Sequence, residues 1–353
     1  MRRILLALVG LLGLFSCETE ITDFKTENLS DAIVVYGEMS NLEGPYTVRL
    51  NYTSGYSPFD ATQFQGQSIP GADVRIVDES GVAIALKEIQ KGMYQTPASF
   101  IGKLGKKYQL KIMTKEGLDI ASSWQVLSAP VELKTLSSTY VNAEKVEDMH
   151  FEMLSSLQDA RGSDDYYFIK RQDFIQFLTT CPTPPPPPQA VPICYSKCWQ
   201  ASQNTQPILL DDAFLDGKEI KLPLESIPYD DFTEWFVQLE VYHVDKATHQ
   251  YWKRQEDQRK LGGGIFDKVP AQIIGNLTCL NNPDRQVLGY FMVAGKTKRR
   301  VLVDRYNGIP AASYQKLVSF VDFKNLRFED SPLWDCRMAA WVPYNVGLTL
   351  PVY

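Results

Sequence analysis

The fold is decided by a stretch that reads Gly71-Ala72-Asp73-Val74-Arg75-Ile76-Val77-Asp78. Its apolar and polar residues alternate, which is the period of a β-strand with one buried face. The turn residues Glu79-Ser80-Gly81 follow, and Val82–Leu86 is a second strand-like run. A further strand is predicted at Lys107–Ile112, where alternate apolar residues share one face: Tyr108, Leu110 and Ile112. These segments predict short β-strands separated by turns.

Upstream of this stretch the same pattern continues. Ala32–Tyr36 and Tyr46–Leu50 are two β-type runs, and Gly92-Met93-Tyr94 is a shorter one. Short strands separated by turns predict a β-sandwich over residues 31–129, of the immunoglobulin-like type found in carboxypeptidase-regulatory and transthyretin-like domains. Residues 51–70 are expected to form a long loop, whose aromatic side chains are candidate contacts to a partner protein: Tyr52, Tyr56, Phe59 and Phe64.

Residues 130–353 are expected to form a second β-rich domain with one helix. Strands are predicted at Asp164–Ile169 and at Trp235–Tyr242, and the helix at Lys246–Leu261. In that helix Tyr251 and Trp252 are expected to face inward and Glu256 to pair with Lys260. A closing pair of strands is predicted at the end of this region, joined near Gly295: Val287–Val293 and Arg299–Val303. The overall fold class is therefore mainly β.

The N-terminal residues predict export and lipid attachment. Arg2 and Arg3 precede an apolar run of about twelve residues, which is too short to span a bilayer and is typical of a signal peptide over residues 1–16. The stretch Leu14-Phe15-Ser16-Cys17 resembles a lipobox, in which bacteria cleave before the cysteine and attach acyl chains such as palmitate. Cys17 is the predicted lipidation site and residues 17–30 a tether. The acidic Glu18 and Glu20 resemble a surface-export signal of Bacteroidota lipoproteins.

A resemblance to a known family rests on residues spread along the chain. They are Tyr251-Trp252, Gly264-Ile265-Phe266-Asp267, Ile274-Gly275-Asn276, Asn282-Pro283 before Val287–Phe291, Cys198-Trp199 and Asp335-Cys336-Arg337. Together with Gly71–Val74 and Gly92–Tyr94, they resemble the Bacteroidota outer-membrane lipoprotein family known as domain of unknown function 4249. In place of the family's usual Gly-rich stretch, Met338-Ala339-Ala340 follows here. The resemblance implies an outer-membrane lipoprotein encoded near TonB-dependent transporters, and it supplies no catalytic residues.

The sequence offers little chemistry. A net charge of -6 without a block of Lys and Arg argues against a nucleic-acid partner. Nucleophile elbows, P-loops, dinucleotide fingerprints and zincin motifs are absent, so we predict no enzyme, no cofactor and no metal. The remaining candidates for a metal, acid/base or phosphate site are expected to be solvated or structural. They are His243 and His249 around Asp245, the pairs Asp164-Asp165, Asp211-Asp212 and Asp230-Asp231, and Gly262-Gly263-Gly264.

Five cysteines beyond Cys17 are disulfide candidates, because exported chains meet an oxidising compartment: Cys181, Cys194, Cys198, Cys279 and Cys336. Two bridges would leave one thiol free, and 15 pairings are then possible. The favoured bridge joins Cys181 to Cys194 or Cys198 across the run Pro184–Pro188, which is expected to be a polyproline II loop.

Two classes of function follow. The first is a non-enzymatic, lipid-anchored protein at the cell surface of the outer membrane that binds a ligand or serves as an accessory to an outer-membrane β-barrel, with a TonB-dependent transporter as the implied partner. A variant is a subunit of an outer-membrane assembly or secretion machine. The second is a surface hydrolase of glycan or peptide, whose carboxylates would have to converge from separate loops.

Overall fold

The structure is a computed structural model, which describes residues 32–53, 67–178, 197–201, 206–213, 215–260 and 272–320, except for the side chains of residues 177, 178, 197 and 198. The predicted lipidation site Cys17, the predicted export residues Glu18 and Glu20 and the proline run lie outside these ranges. Within them the expected mainly β fold with a β-sandwich is confirmed.

The described residues up to Val126 form short strands: β1 (Ile33–Met39), β2 (Thr47–Tyr52), β3 (Asp73–Asp78), β4 (Ala83–Ala85), β5 (Lys87–Gln90), β6 (Met93–Gln95), β7 (Lys107–Met113), β8 (Asp119–Ser122) and β9 (Gln125–Val126). The described residues after Val126 add both long and short strands and two α-helices: β10 (Glu132–Val141), β11 (His150–Gln158), β12 (Tyr166–Leu178), β13 (Lys197–Ala201), β14 (Ile208–Asp211), β15 (Glu219–Lys221), β16 (Ile227–Pro228), β17 (Trp235–Val244), α1 (Lys246–Lys260), β18 (Leu277–Cys279), β19 (Val287–Val293), β20 (Gly295–Val303) and α2 (Ala311–Phe320).

Two sheets form the sandwich. Sheet I has the order β19-β1-β2-β6-β5, and sheet II has the order β18-β8-β7-β3-β4 with β9 on β7. Their inner faces meet in one apolar core, which takes alternate residues from each strand, as strand geometry requires. The predicted face of β7 is confirmed, because Tyr108, Leu110 and Ile112 are all buried.

Strands from late in the chain complete this sandwich. β19 pairs in parallel with β1 from Ile33↔Val287 to Met39↔Val293, and β18 pairs with β8. Gly289 has a φ of 92°, and a Cβ on it would lie 2.0 Å from the carbonyl oxygen of Val35, so this register requires glycine. The sandwich therefore includes residues far beyond the segment 31–129.

Two further sheets form the second half of the molecule. Sheet III has the order β13-β12-β17-β20 with β14 on β12, and sheet IV has the order β10-β11-β15 with β16 on β11. Their facing sides share an apolar core around Leu157, Ile169 and Leu239. The predicted closing pair is wrong: β19 joins sheet I, whereas β20 pairs with β17. The chain changes sheets at Gly295, whose backbone passes so close to Ser128 that a Cβ would lie 2.5 Å from its carbonyl oxygen.

Helix α1 is confirmed within one residue of its predicted end. Asp245 caps its start by accepting a hydrogen bond from the Thr248 amide at 2.7 Å, and Tyr251 is buried. Glu256 pairs with Arg259 at 3.0 Å instead of with Lys260. Helix α2, which the sequence analysis did not predict, begins after Pro310 and buries Leu317. Neither helix among the described residues has the length and apolar character needed to cross a membrane.

Candidate functional site: a cleft between sheets I and III

The outer face of sheet I forms one wall of a cleft. Side chains on this face stand in rows across the strands, because paired residues in neighbouring strands point the same way. One row runs Tyr290, Tyr36, Arg49 and Met93, fixed by the pairings of β1 with β19 and β2 and of β2 with β6. Tyr36 is 42% exposed, so this wall offers an open aromatic ring beside a guanidinium.

The outward face of sheet III forms the opposite wall. In its register Tyr242 lies opposite Lys296, and Glu240 lies opposite Lys298 on one side and Lys170 on the other. These residues alternate with the buried residues of β17, such as Val241, and so share one face. The wall therefore carries three lysines around one glutamate.

Glu38 of β1 joins the two walls. Its carboxylate lies 2.7 Å from Lys170 Nζ and 3.7 Å from Lys296 Nζ, while Glu240 lies 2.8 Å from Lys296 Nζ. The Tyr242 hydroxyl is 2.9 Å from Glu38 and 2.8 Å from Glu240, and its single proton can be donated to either. Burial opposes ionisation of Glu38, but Lys170 and Lys296 outweigh it and hold the pKa of Glu38 below its ordinary value. The network thus locks the two halves at the base of the cleft.

An apolar and hydrogen-bonded contact seals the same junction. Trp252 of α1 stacks on Phe168 with ring centroids 4.9 Å apart, in a cluster that also contains buried Tyr242 and Tyr290. Gln125 binds both sides, since its amide nitrogen donates to the Thr248 hydroxyl of α1 at 3.0 Å and its carbonyl oxygen accepts from the Val293 amide of β19 at 2.9 Å. These contacts fix the angle at which the two walls meet.

The cleft has a volume of about 690 Å³ and is open to solvent. Its lining mixes ring faces, charged groups and amides, which suits it to bind a polar ligand of several ring units. The Arg49 side chain is exposed and makes no hydrogen bond or ion pair with any described residue. The cleft therefore combines a fixed network of ion pairs at its base with an available cation on its rim.

Three aspartates converge elsewhere, beside sheet III. Asp159, Asp165 and Asp212 are buried, and one carboxylate oxygen from each lies within 4.8 Å of the others. Asp159 accepts hydrogen bonds from the Tyr167 hydroxyl and the Gly217 amide, and Asp165 lies 3.0 Å from His243 Nε2. Burial, with repulsion from the other two carboxylates, raises the pKa of Asp212.

Carboxylates are ligands for hard cations, and this group has the donor type for one. Hydrogen bonds and His243 engage Asp159 and Asp165, so two of the three carboxylates already have partners within the fold. The sequence pairs Asp164-Asp165 and Asp211-Asp212 each contribute one member to this group. Asp159 is not among the residues predicted from the sequence, because it has no acidic neighbour in the chain. We assign the group a structural role.

The other weighed residues are dispersed. Asp230 and Asp231 lie 2.6 Å and 4.0 Å from the buried guanidinium of Arg305, so this pair neutralises a buried cation. His249 does not join His243; it packs against Tyr166 with ring centroids 5.2 Å apart, and burial lowers its pKa. Asp245 is the helix cap described above.

The proposed partner contacts and disulfides are covered only in part. Tyr52 donates a hydrogen bond to Glu116 at 2.8 Å and lies under the guanidinium of Arg285. Cys279 is a buried free thiol. The other candidates lie outside the described residues: Tyr56, Phe59, Phe64, Cys181, Cys194 and Cys336, together with the side chain of Cys198.

Sequence reasoning missed the residues of the cleft. Lys296, Lys298 and Arg300 alternate along β20, which signals a basic strand face, but the predicted strand began only at Arg299. Glu38 and Lys170 carry no such signal, because their pairing joins strands 132 residues apart in the chain.

Comparison with known proteins agrees with the resemblance at the level of the family. No curated protein matches the chain. Residues 19–300, which include every strand of the cleft except the last three residues of β20, match the family described as domain of unknown function (DUF4249). The match spans well over half of the sequence, and the chain therefore belongs to the DUF4249 family.

Proposed function

We propose that this protein is a non-enzymatic, surface-exposed lipoprotein of the Bacteroidota outer membrane, which binds a ligand in the cleft between sheets I and III beside a TonB-dependent transporter. The cleft carries the proposal. It has the volume of a ligand site and lies where two halves of the molecule meet, which is a preferred place for such sites.

The membrane setting is supported by the sequence. The lipobox-like stretch Leu14–Cys17 supplies an anchor at Cys17, and Glu18 and Glu20 supply the export signal. Anchoring confines the protein and a barrel to one membrane, which raises their effective concentration and lets a modest interface suffice. The aromatic residues of the loop predicted at residues 51–70 suit such an interface, because aromatic side chains bury a large area at low entropic cost.

The test is affinity purification from outer membranes in mild detergent through a tag after Tyr353. The wild type is expected to be membrane-bound and to retain one large β-barrel protein, whereas Cys17→Ala is released from the membrane. Tyr56→Ala with Phe59→Ala is expected to weaken retention of the barrel, and Tyr306→Ala, an exposed tyrosine elsewhere, serves as the matched control.

Several outcomes would contradict the proposal. Cys17→Ala that remains membrane-bound with labelled lipid would refute the anchor, and complete protease protection of the wild type on intact cells would place it on the periplasmic face. Co-purification of an assembly or secretion complex would favour that alternative. A protein that elutes alone and cleaves a glycan or peptide would favour the hydrolase.

A further inference from the structure

The charged network at the base of the cleft has an excess of positive charge. Among the described residues, the carboxylates that form ion pairs with Lys170, Lys296 and Lys298 are those of Glu38 and Glu240. The shorter contacts use the first two lysines, since Lys298 Nζ lies 3.6 Å from Glu240 Oε1, beyond hydrogen-bond distance. Lys298 is therefore the least neutralised ammonium of the group.

The surroundings of Lys298 favour an incoming anion. Its side chain is about one-third exposed, so a ligand can reach it. Burial, reinforced by nearby Arg300 and Lys296, outweighs Glu240 and lowers the pKa of Lys298. A carboxylate bound at this point would relieve the repulsion between the cations.

Arg49 supplies a second cation on the opposite wall. It is exposed and unpaired among the described residues, and its planar guanidinium matches a carboxylate through two parallel hydrogen bonds. Tyr36 lies directly across from it in β1, so an open ring stands beside the guanidinium. A ligand that fits this pair has a flat, weakly polar face next to an acidic group.

We propose that the cleft binds an acidic saccharide, a sugar chain that carries carboxylates, with Arg49 and Lys298 holding acidic groups and Tyr36 stacking on a sugar ring. The sheet I wall also offers polar groups to the hydroxyls of such a chain, since the paired residues Thr47 and Gln95 lie beside the row that contains Arg49. The lining is mixed, with apolar and aromatic residues such as Met93 and Trp252 beside the charged ones, so an acidic peptide is the competing ligand that the test below separates from a saccharide. The inference rests on the proposed ligand-binding function and narrows it to one class of ligand.

The test measures binding of trigalacturonate to the full chain in mild detergent by calorimetry at low salt. Maltotriose is the neutral saccharide probe and triglutamate the acidic peptide probe. The wild type is expected to bind trigalacturonate, and Arg49→Gln and Lys298→Gln each to weaken it roughly 10- to 100-fold, the loss expected for a charge-assisted hydrogen bond. Lys111→Gln, an exposed lysine on sheet II, is the matched control and should leave binding unchanged.

Each alternative result overturns the inference. Equal binding of maltotriose would show that the cleft does not read acidic groups, and equal binding of triglutamate would show that it does not read a sugar. If no probe binds, the cleft is not a saccharide site. If trigalacturonate still binds after both substitutions, the acidic saccharide is not held by Arg49 and Lys298. Co-purification of the barrel is a separate measurement, so a negative result here with the barrel retained removes the ligand class alone.

Discussion

Phe291→Ala tests whether the late strand β19 is part of the sandwich core. The Phe291 side chain is fully buried between the two sheets of the sandwich, and its ring closes the space above Gly37, where a Cβ would lie 3.1 Å from Phe291 Cδ2. Removal of a fully buried Phe side chain costs about 3–5 kcal/mol, through lost burial and the cavity left behind. That is a large part of the 5–15 kcal/mol by which folded proteins are typically stable.

The free energy of unfolding would be measured by urea denaturation, and hydrogen exchange would locate the loss. We expect faster exchange in β1, the neighbour of β19 in sheet I, and in β2 beyond it, as well as in β19 itself. Leu280→Ala is the control, because Leu280 lies in the same segment but is 57% exposed, and such surface changes stay within about 0.5 kcal/mol. The reasoning fails if Phe291→Ala exposes only residues 277–303 while β1 and β2 keep their protection.

Three further predictions concern single positions. Gly289→Ala should break the pairing of β1 with β19, because its left-handed φ and its contact with Val35 exclude a Cβ, and it should destabilise the protein by at least 1 kcal/mol in the same urea assay. Glu38→Gln should lower the free energy of unfolding at pH 7 by about 1 kcal/mol, the upper range for a solvent-accessible ion pair. Because the pKa of Glu38 is lowered in the folded state, this difference from the wild type should shrink as the pH falls below 4.5. A difference that stays unchanged at low pH would contradict the prediction. Asp212→Asn should raise the melting temperature at pH 7, because the pKa of Asp212 is raised in the folded state and its ionisation therefore costs stability. The variant should lose this advantage below pH 3.8, where the wild-type carboxyl is protonated in both states. The control is Asp211→Asn, a substitution at the exposed neighbouring position, which should show neither effect.

Local order was predictable from the sequence, and long-range pairing was not. The alternation in β3 and β7 and the helical spacing in α1 depend on neighbouring residues, so these elements were found. The parallel pairing of β1 with β19 joins residues 254 positions apart, and nothing local specifies it. Two strands that are adjacent in the chain, β19 and β20, were expected to pair because neighbours usually do, but Gly295 lets the chain leave one sheet for another.

The cleft was missed for the same reason. A charged residue on a strand is ordinarily solvated, and the sequence around Glu38 does not distinguish it from such a residue. Its partners Lys170 and Lys296 lie on strands of sheet III, far away in the sequence. The aspartate group shows a partial success, since two of its three members stood in pairs that the sequence analysis weighed. Charge clusters assembled from separate strands become visible only with the register of the sheets.

The place of β19 in sheet I has a consequence for how the chain is made. The polypeptide is synthesised from its N-terminus, so β1 can pair with β2 almost at once. The other edge of β1 stays unpaired until residues 287–293 have been made. An unpaired edge invites pairing with other chains, and contacts of such long sequence separation form slowly. A nascent chain of this architecture therefore spends most of its synthesis with a vulnerable strand exposed, and a holding chaperone that covers strand edges is the kind of helper it needs.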